Sequence, residues 1–226
     1  MKEIPKNKRY ALGWYNEGVT HLTIKEYDEA KEFFEKALGV IPDHPDFLIG
    51  FGDVQYACGN FQEAFQYYIS ALHAEPENYI AWLKAGIALL KLSKFNEALE
   101  IFQNLLELSP YDGEIWYARG LALIGMGKEQ EAKDSFIHAR RYRPNQPALW
   151  YSLSQLEPLH EKAIPLLQRG HQLDPENLDI LAELVRHLFA LGRTEEAIQF
   201  CRKAQKIAPE SQRIKELLQQ CLDTLS

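Results

Sequence analysis

Cysteine is scarce: the 226-residue chain holds three, Cys58, Cys201 and Cys221, with no close-paired spacing. An odd, scattered set excludes a disulfide framework and a zinc site, and the thiols are expected to be free and buried. Basic charge is also in deficit, since 25 Lys and Arg face 32 Asp and Glu for a formal net charge of −7. That argues against a nucleic-acid partner, because phosphate binding needs a concentrated basic surface. The basic cluster His138, Arg140, Arg141 and Arg143 falls at the end of an expected helix, where cations offset the negative end of the dipole. No apolar run approaches the ~18 residues of a membrane span. The polar start, Met-Lys-Glu-Ile-Pro-Lys-Asn-Lys-Arg, lacks the layout of a secretory signal. Both absences point to a cytoplasmic protein without membrane insertion.

Catalytic signatures are missing too. There is no His-Glu-x-x-His, no glycine-rich phosphate loop and no nucleophile elbow, and His160-Glu161 lacks a second His four residues on. No catalytic residue, metal ligand or cofactor is expected.

What the sequence does contain is an interval. Pro42, Pro76, Pro110 and Pro144 stand 34 residues apart, as do Gly18, Gly52, Gly86 and Gly120, and Ala30, Ala64, Ala98 and Ala132. Trp82, Trp116 and Trp150 keep it, with Trp14 two intervals before Trp82. Such a period marks stacked copies of one unit. At 46% hydrophobic and 25% charged, the chain can bury a continuous core.

Within a copy the pattern is helical. Trp82, Ala85, Gly86 and Leu89 share one helix face, and Ala98, Ile101, Phe102 and Leu105 share another. The short turn Leu92 to Phe95 makes the two helices antiparallel. The recurring Gly is expected to admit the second helix with the small Ala facing it, and each Pro to end its second helix. The tryptophans are expected to pack between helices.

The full unit reads Trp14, Glu17-Gly18, Ala30, Phe34, Ala37, Pro42, and this closely resembles the tetratricopeptide repeat. Later copies give Leu48, Gly52, Ala64, Tyr68, Ala71, Pro76; then Trp82, Gly86, Ala98, Phe102, Leu105, Pro110; then Trp116, Gly120, Ala132, Phe136, Ala139, Pro144. A fifth starts at Trp150 and Leu153 but reaches Ala163 and Pro175 three residues early, and a sixth has Leu181, Leu184, Leu188, Ala197, Ala204 and Pro209. The resemblance implies an all-α, right-handed superhelical solenoid of antiparallel helix pairs, about 13 helices in all. The expected divisions are a tail at 1–10, units at 11–44, 45–78, 79–112, 113–146, 147–177 and 178–211, and a capping helix at 212–226 begun by Ser211. The first helix is expected to leave a face open to a partner or a second copy.

Some residues depart from the pattern. Glu17 and Arg119 stand where the family has Leu, so they must reach solvent or pair. The deletion in the fifth unit falls near Leu156 to His160; three residues is close to a helical turn of about 3.6. Pro165 then requires its helix to begin near Glu161. With Gly170 in place of the small Ala, residues 155–170 are expected to form the weak junction.

In the tetratricopeptide family the first helices line a concave groove. The stripe beside each core stripe is Leu12, Tyr15, Val19 and Leu22; then Asp46, Ile49, Asp53 and Tyr56; then Ile80, Leu83, Ile87 and Leu90; then Glu114, Tyr117, Leu121 and Ile124. The fifth copy adds Ala148, Tyr151 and Gln155, and the sixth Asp179, Ala182, Arg186 and Phe189. Ile87 and Leu121 are the two that adjacent helices are most expected to cover. The family's clamp for chaperone C-termini is absent, because Tyr15, Val19, Ile49 and Asp53 occupy its places. Its asparagine ladder is absent as well, since Asn16 is followed in register by Gly50, Lys84 and Ala118. The expectation is a non-catalytic scaffold that binds an apolar or amphipathic protein segment. The alternatives are a self-associating homodimer and a regulatory domain that senses a peptide or ligand through a hinge in the fifth unit.

Overall fold

The computed structural model describes residues 6–224, and among them it has thirteen α-helices and no strand. They fall into two compact units. The first contains α1 (Lys6–Thr23), α2 (Tyr27–Val40), α3 (Pro45–Ala57), α4 (Phe61–Ala74), α5 (Tyr79–Lys91), α6 (Phe95–Leu108) and the part of α7 (Gly113–Gly125) from Leu121 onward. The second contains the start of α7, then α8 (Glu129–Tyr142), α9 (Pro147–Gln155), α10 (His160–Leu173), α11 (Leu178–Ala190), α12 (Thr194–Ile207) and α13 (Gln212–Asp223). Helix α1 begins inside the stretch expected to be a tail.

Within each unit the helices pack as pairs in chain order, and α1 also touches α3 while α11 touches α13. The repeating alanines Ala30, Ala64, Ala98 and Ala132 are fully buried, as are Phe34, Phe102 and Phe136. The partner of each repeating Gly is this aromatic ring and not the Ala that the sequence suggested. A Cβ on Gly52 would lie 2.6 Å from the Tyr68 ring, and one on Gly86 2.6 Å from the Phe102 ring. The ring edge lies flat against bare backbone, so any side chain there would displace it, typically at ~1–3 kcal/mol. Phe34 is gripped twice: Cβ atoms on Gly18 and Gly50 would sit 3.0 and 2.5 Å from its ring.

The tryptophans hydrogen-bond as well as pack. The indole N–H of Trp82 donates to the Pro76 carbonyl at 2.8 Å, and that of Trp150 to the Pro144 carbonyl at 2.7 Å. In both copies the first helix is thereby tied to the linker before it.

The turn inside each pair has its own periodic residue. Lys25, Gly59, Ser93, Gly127 and Gly192 all have positive φ, between 58° and 84°. Glycine takes this conformation without cost, whereas Lys25 and Ser93 carry a Cβ into it. The fifth pair has no such residue: α9 is cut to nine residues, and 156–159 lead directly into α10. Pro165 lies inside α10, beyond its first four residues, so the Glu161 carbonyl lacks its usual backbone donor.

Two smaller expectations change, at Cys58 and Ser211, and one, at Glu17 and Arg119, is met. Cys58 is exposed, whereas Cys201 and Cys221 are buried in one apolar cluster with Leu188 and Ile198. Ser211 has extended backbone at the start of α13, but its side chain makes no capping bond. Glu17 is exposed, and Arg119 is paired, donating to the Ser135 hydroxyl and lying over the Trp116 ring at 5.6 Å.

Candidate functional site

The first helices carry the stripe because their core positions recur every three or four residues, which leaves a neighbouring row along the same helix. In the first unit that row is a mixture of open and covered side chains. Leu12, Val19 and Ile124 are exposed at 41%, 38% and 39%, and Ile80 at 54%. Tyr15, Leu22, Asp53, Tyr56, Ile87, Leu90 and Leu121 are half-buried. Ile49 and Leu83 are buried, at 7% and 8%. The order expected for coverage is thus reversed: Ile49 and Leu83 are covered, and Ile87 and Leu121 keep part of their surface.

Polar groups interrupt this apolar row in the second copy, at exposed Asp46 and at half-buried Asp53. Asp53 Oδ1 accepts both the Tyr68 hydroxyl and the Lys84 ammonium at 2.8 Å. The other copies have Phe34, Phe102 and Phe136 in place of Tyr68, and Val19, Ile87 and Leu121 in place of Asp53. Burial and the Asp53 charge together push the Tyr68 phenol well above its ordinary pKa, so it stays a donor. Tyr15 packs on Phe34 and Phe47 with centroids 5.8 and 5.2 Å away, and Tyr56 meets Phe61 edge-on at 5.1 Å. Burial, then the carboxylates of Asp46 and Asp53, raise the Tyr15 pKa; burial raises that of Tyr56.

In the second unit Tyr117 packs on Phe136 at 5.6 Å, and burial raises its phenol pKa against the opposing hydrogen bond to Ser152. Tyr151 is half-buried; its pKa is raised first by burial and then by Glu183 and Asp179, with Arg213 and Arg186 opposing. Arg186 is exposed and donates to Glu183 at 2.5 Å. Arg213 from α13 reaches Asp179 at 2.8 Å and Glu183 at 3.8 Å. Phe189 is turned into the apolar cluster of Leu184, Leu188 and Cys201, so it adds little free surface.

Two features had no signal in the reading of the stripe. One is a small apolar hollow of about 220 Å³ between α5 and α6, lined by Trp82, Ile101, Asn104, Leu105 and Leu108. Leu108 is 80% exposed at its edge. The other is the Tyr68–Asp53–Lys84 group, which only a comparison of copies position by position would single out. Among the described residues no three His, Cys, Asp or Glu side chains converge to hold a metal ion, and no helix is long and apolar enough to cross a membrane.

Comparison with known proteins agrees with this architecture. Family models described as tetratricopeptide repeat match residues 11–44, 49–113, 89–156 and 160–221. No curated protein matches the chain. Among solved structures, a chain of the Cut9–Hcn1 hetero-tetramer of the APC/C superposes with a TM-score of 0.82 at 21% identity over 94% of this chain. This chain spans 43% of that one. Pseudomonas aeruginosa PilF gives 0.78 at 19% identity, covering 96% of this chain and 100% of its own. YrrB, a TPR protein with an unusual peptide-binding site, gives 0.56 at 18% identity over 81% of this chain and 96% of its own. At these identities the likeness is one of fold. The family matches extend over most of the repeats found from the interval, and the chain belongs to the tetratricopeptide repeat family.

Proposed function

We propose that the chain is a non-catalytic scaffold whose first-helix stripe binds an apolar or amphipathic segment of another protein. Repeat folds of this kind serve protein–protein interaction generally. The supporting observation is the exposed and half-exposed apolar row in the first unit, Leu12, Val19, Ile80, Ile87 and Ile124, on a chain whose other exposed residues are mostly polar. Tyr15, Leu22, Ile49, Asp53, Tyr56, Leu83, Leu90 and Leu121 complete the stripe in this unit, with Ile49 and Leu83 as its covered floor. Tyr117, Tyr151, Arg186 and Phe189 are the corresponding residues in the second unit.

Self-association finds less support. The exposed part of α1 mixes Tyr10, Leu12 and Val19 with Asn16, Glu17 and Thr20, and that of α13 includes Gln212, Arg213, Lys215, Glu216 and Gln219 beside Leu222. Those polar groups would have to be desolvated in an end-to-end contact. The groove reading is tested by affinity capture from the native host with Val19→Asp and Ile87→Asp, set against Gln103→Asp on the exposed side of α6. Loss of the captured proteins from the first two alone is the expected result. Equal recovery from three folded variants would overturn it.

A further inference from the structure

The shortened fifth copy brings two histidines together. His160 is the first residue of α10, and His187 lies in the last turn of α11. Their Nδ1 atoms are 2.8 Å apart, with ring centroids 4.9 Å apart and planes inclined at 64°. At this distance one ring carries its proton on Nδ1 and donates it to the other. The two helices that carry them pack directly on each other. His160 is exposed and gives solvent access to the pair.

The 2.8 Å separation is that of a hydrogen bond and opens when the rings turn toward an ion. The choice of ion therefore rests on ligand type: imidazole suits copper, nickel and zinc, and copper stands highest in the divalent affinity order.

We propose that His160 and His187 form a two-imidazole binding site for a divalent ion of the Cu(II) type, with water in its remaining positions. On binding, the shared proton moves from Nδ1 to Nε2 of the ring that held it, which frees both Nδ1 lone pairs for the ion. No proton is released when both rings start neutral. Each ring turns from facing the other nitrogen to facing the metal, a change that exposed His160 makes freely. Nearby on α11, the Glu183 carboxylate favours the added charge and the Arg186 guanidinium opposes it. Bound copper clamps the start of α10 to the end of α11, beside the linker 156–159 that replaces the usual turn.

The test is titration of the full chain with copper(II) chloride, and separately with zinc chloride, in a weakly coordinating buffer at about pH 7.5. Calorimetry is expected to show a single copper bound more tightly than zinc, and electron paramagnetic resonance to show hyperfine coupling to two nitrogens. His160→Gln and His187→Gln should each weaken copper binding about tenfold or more, while His73→Gln on α4 leaves it unchanged. Copper should raise the unfolding temperature of the wild type and of His73→Gln only. His160 is exposed at a helix start, so its replacement keeps the fold and decides the question even if His187→Gln does not fold. Wild-type affinity in His160→Gln, an equal loss in His73→Gln, or zinc bound more tightly than copper would overturn the assignment.

Discussion

Replacing Gln146 by Asn should stabilise the second unit by about 1 kcal/mol. The residue before each first helix occupies an equivalent place: His44, Asn78, Asp112, Gln146 and Asn177. Asn78 Oδ1 accepts the Ala81 N–H at 2.9 Å, Asn177 Oδ1 the Ile180 N–H at 3.2 Å, and Asp112 Oδ1 the Glu114 N–H at 2.7 Å. At Gln146 the backbone is extended like that of Asn78, but the longer side chain overshoots, and its Oε1 is buried with no partner. The Leu149 N–H that a cap would take bonds instead to the Gln146 backbone carbonyl at 3.1 Å, a tighter and poorer arrangement. An Asn there gains the cap and removes the unpaired amide oxygen, and it gives up that strained bond. The net gain is therefore set near the ordinary value of a cap and not at the sum of the separate effects. Urea unfolding followed by far-ultraviolet circular dichroism should show a midpoint raised by roughly 0.3–1 M, and hydrogen exchange at Leu149 should slow. Gln146→Ala is the control, since it removes the orphan without adding a cap. If Gln146→Asn is no more stable than Gln146→Ala, the capping argument fails. At His44 the same exchange should gain less, because the imidazole stacks on Phe47 with centroids 4.1 Å apart and that contact would be lost.

Ser93→Gly should raise thermal stability by about 1 kcal/mol, because φ at this position is 58° and a Cβ is unfavourable there; an unchanged melting temperature would show the turn to be unstrained. Leu83→Ala should cost about 2–5 kcal/mol and Ile87→Ala clearly less, since only Leu83 is closed over by its neighbours; comparable losses in urea unfolding would count against the burial assigned to the stripe. Burial, then the Lys203 ammonium, lowers the His171 pKa against the pull of Asp174, so the folded state prefers the neutral ring. Its stabilisation is present above the unfolded value of about 6.5 and lost as pH falls below it. The drop in melting temperature from neutral to acid pH should therefore be smaller in His171→Phe, and an identical drop would exclude His171 as a contributor.

The helix pairs were legible because the interval repeats a whole set of contacts: small, aromatic and Pro positions each recur where the same packing problem recurs. The contact partner was harder to read. Gly52 and Ala64 both look like places for close approach, and the sequence does not say that the ring of Tyr68 fills the space beside the glycine. The turn residues Gly59, Gly127 and Gly192 keep the interval once the deletion is counted, but Lys25 and Ser93 hide it, because backbone conformation and not residue type is what repeats. In the stripe, period alone put Ile49 and Ile87 on equal terms. Their different exposure is decided by neighbouring helices, which depend on side chains far away in the sequence. The meeting of His160 and His187 is of the same kind, since it follows from where a shortened unit leaves the start of one helix against the end of another.

The double grip on Phe34 bears on how the stack comes apart. The ring rests on Gly18 in its own copy and on Gly50 in the next, whereas the places equivalent to Gly50 hold Lys84 and Ala118 in later copies. Fraying α1 and α2 away from α3 would strip one side of the ring and leave a trough along bare backbone with nothing else shaped to fill it. The first two copies should therefore open as one cooperative block, with amides of α1 and α3 sharing a common exchange barrier. Farther along the chain Tyr68, Phe102 and Phe136, the rings equivalent to Phe34, each meet a single repeating glycine, that of their own copy.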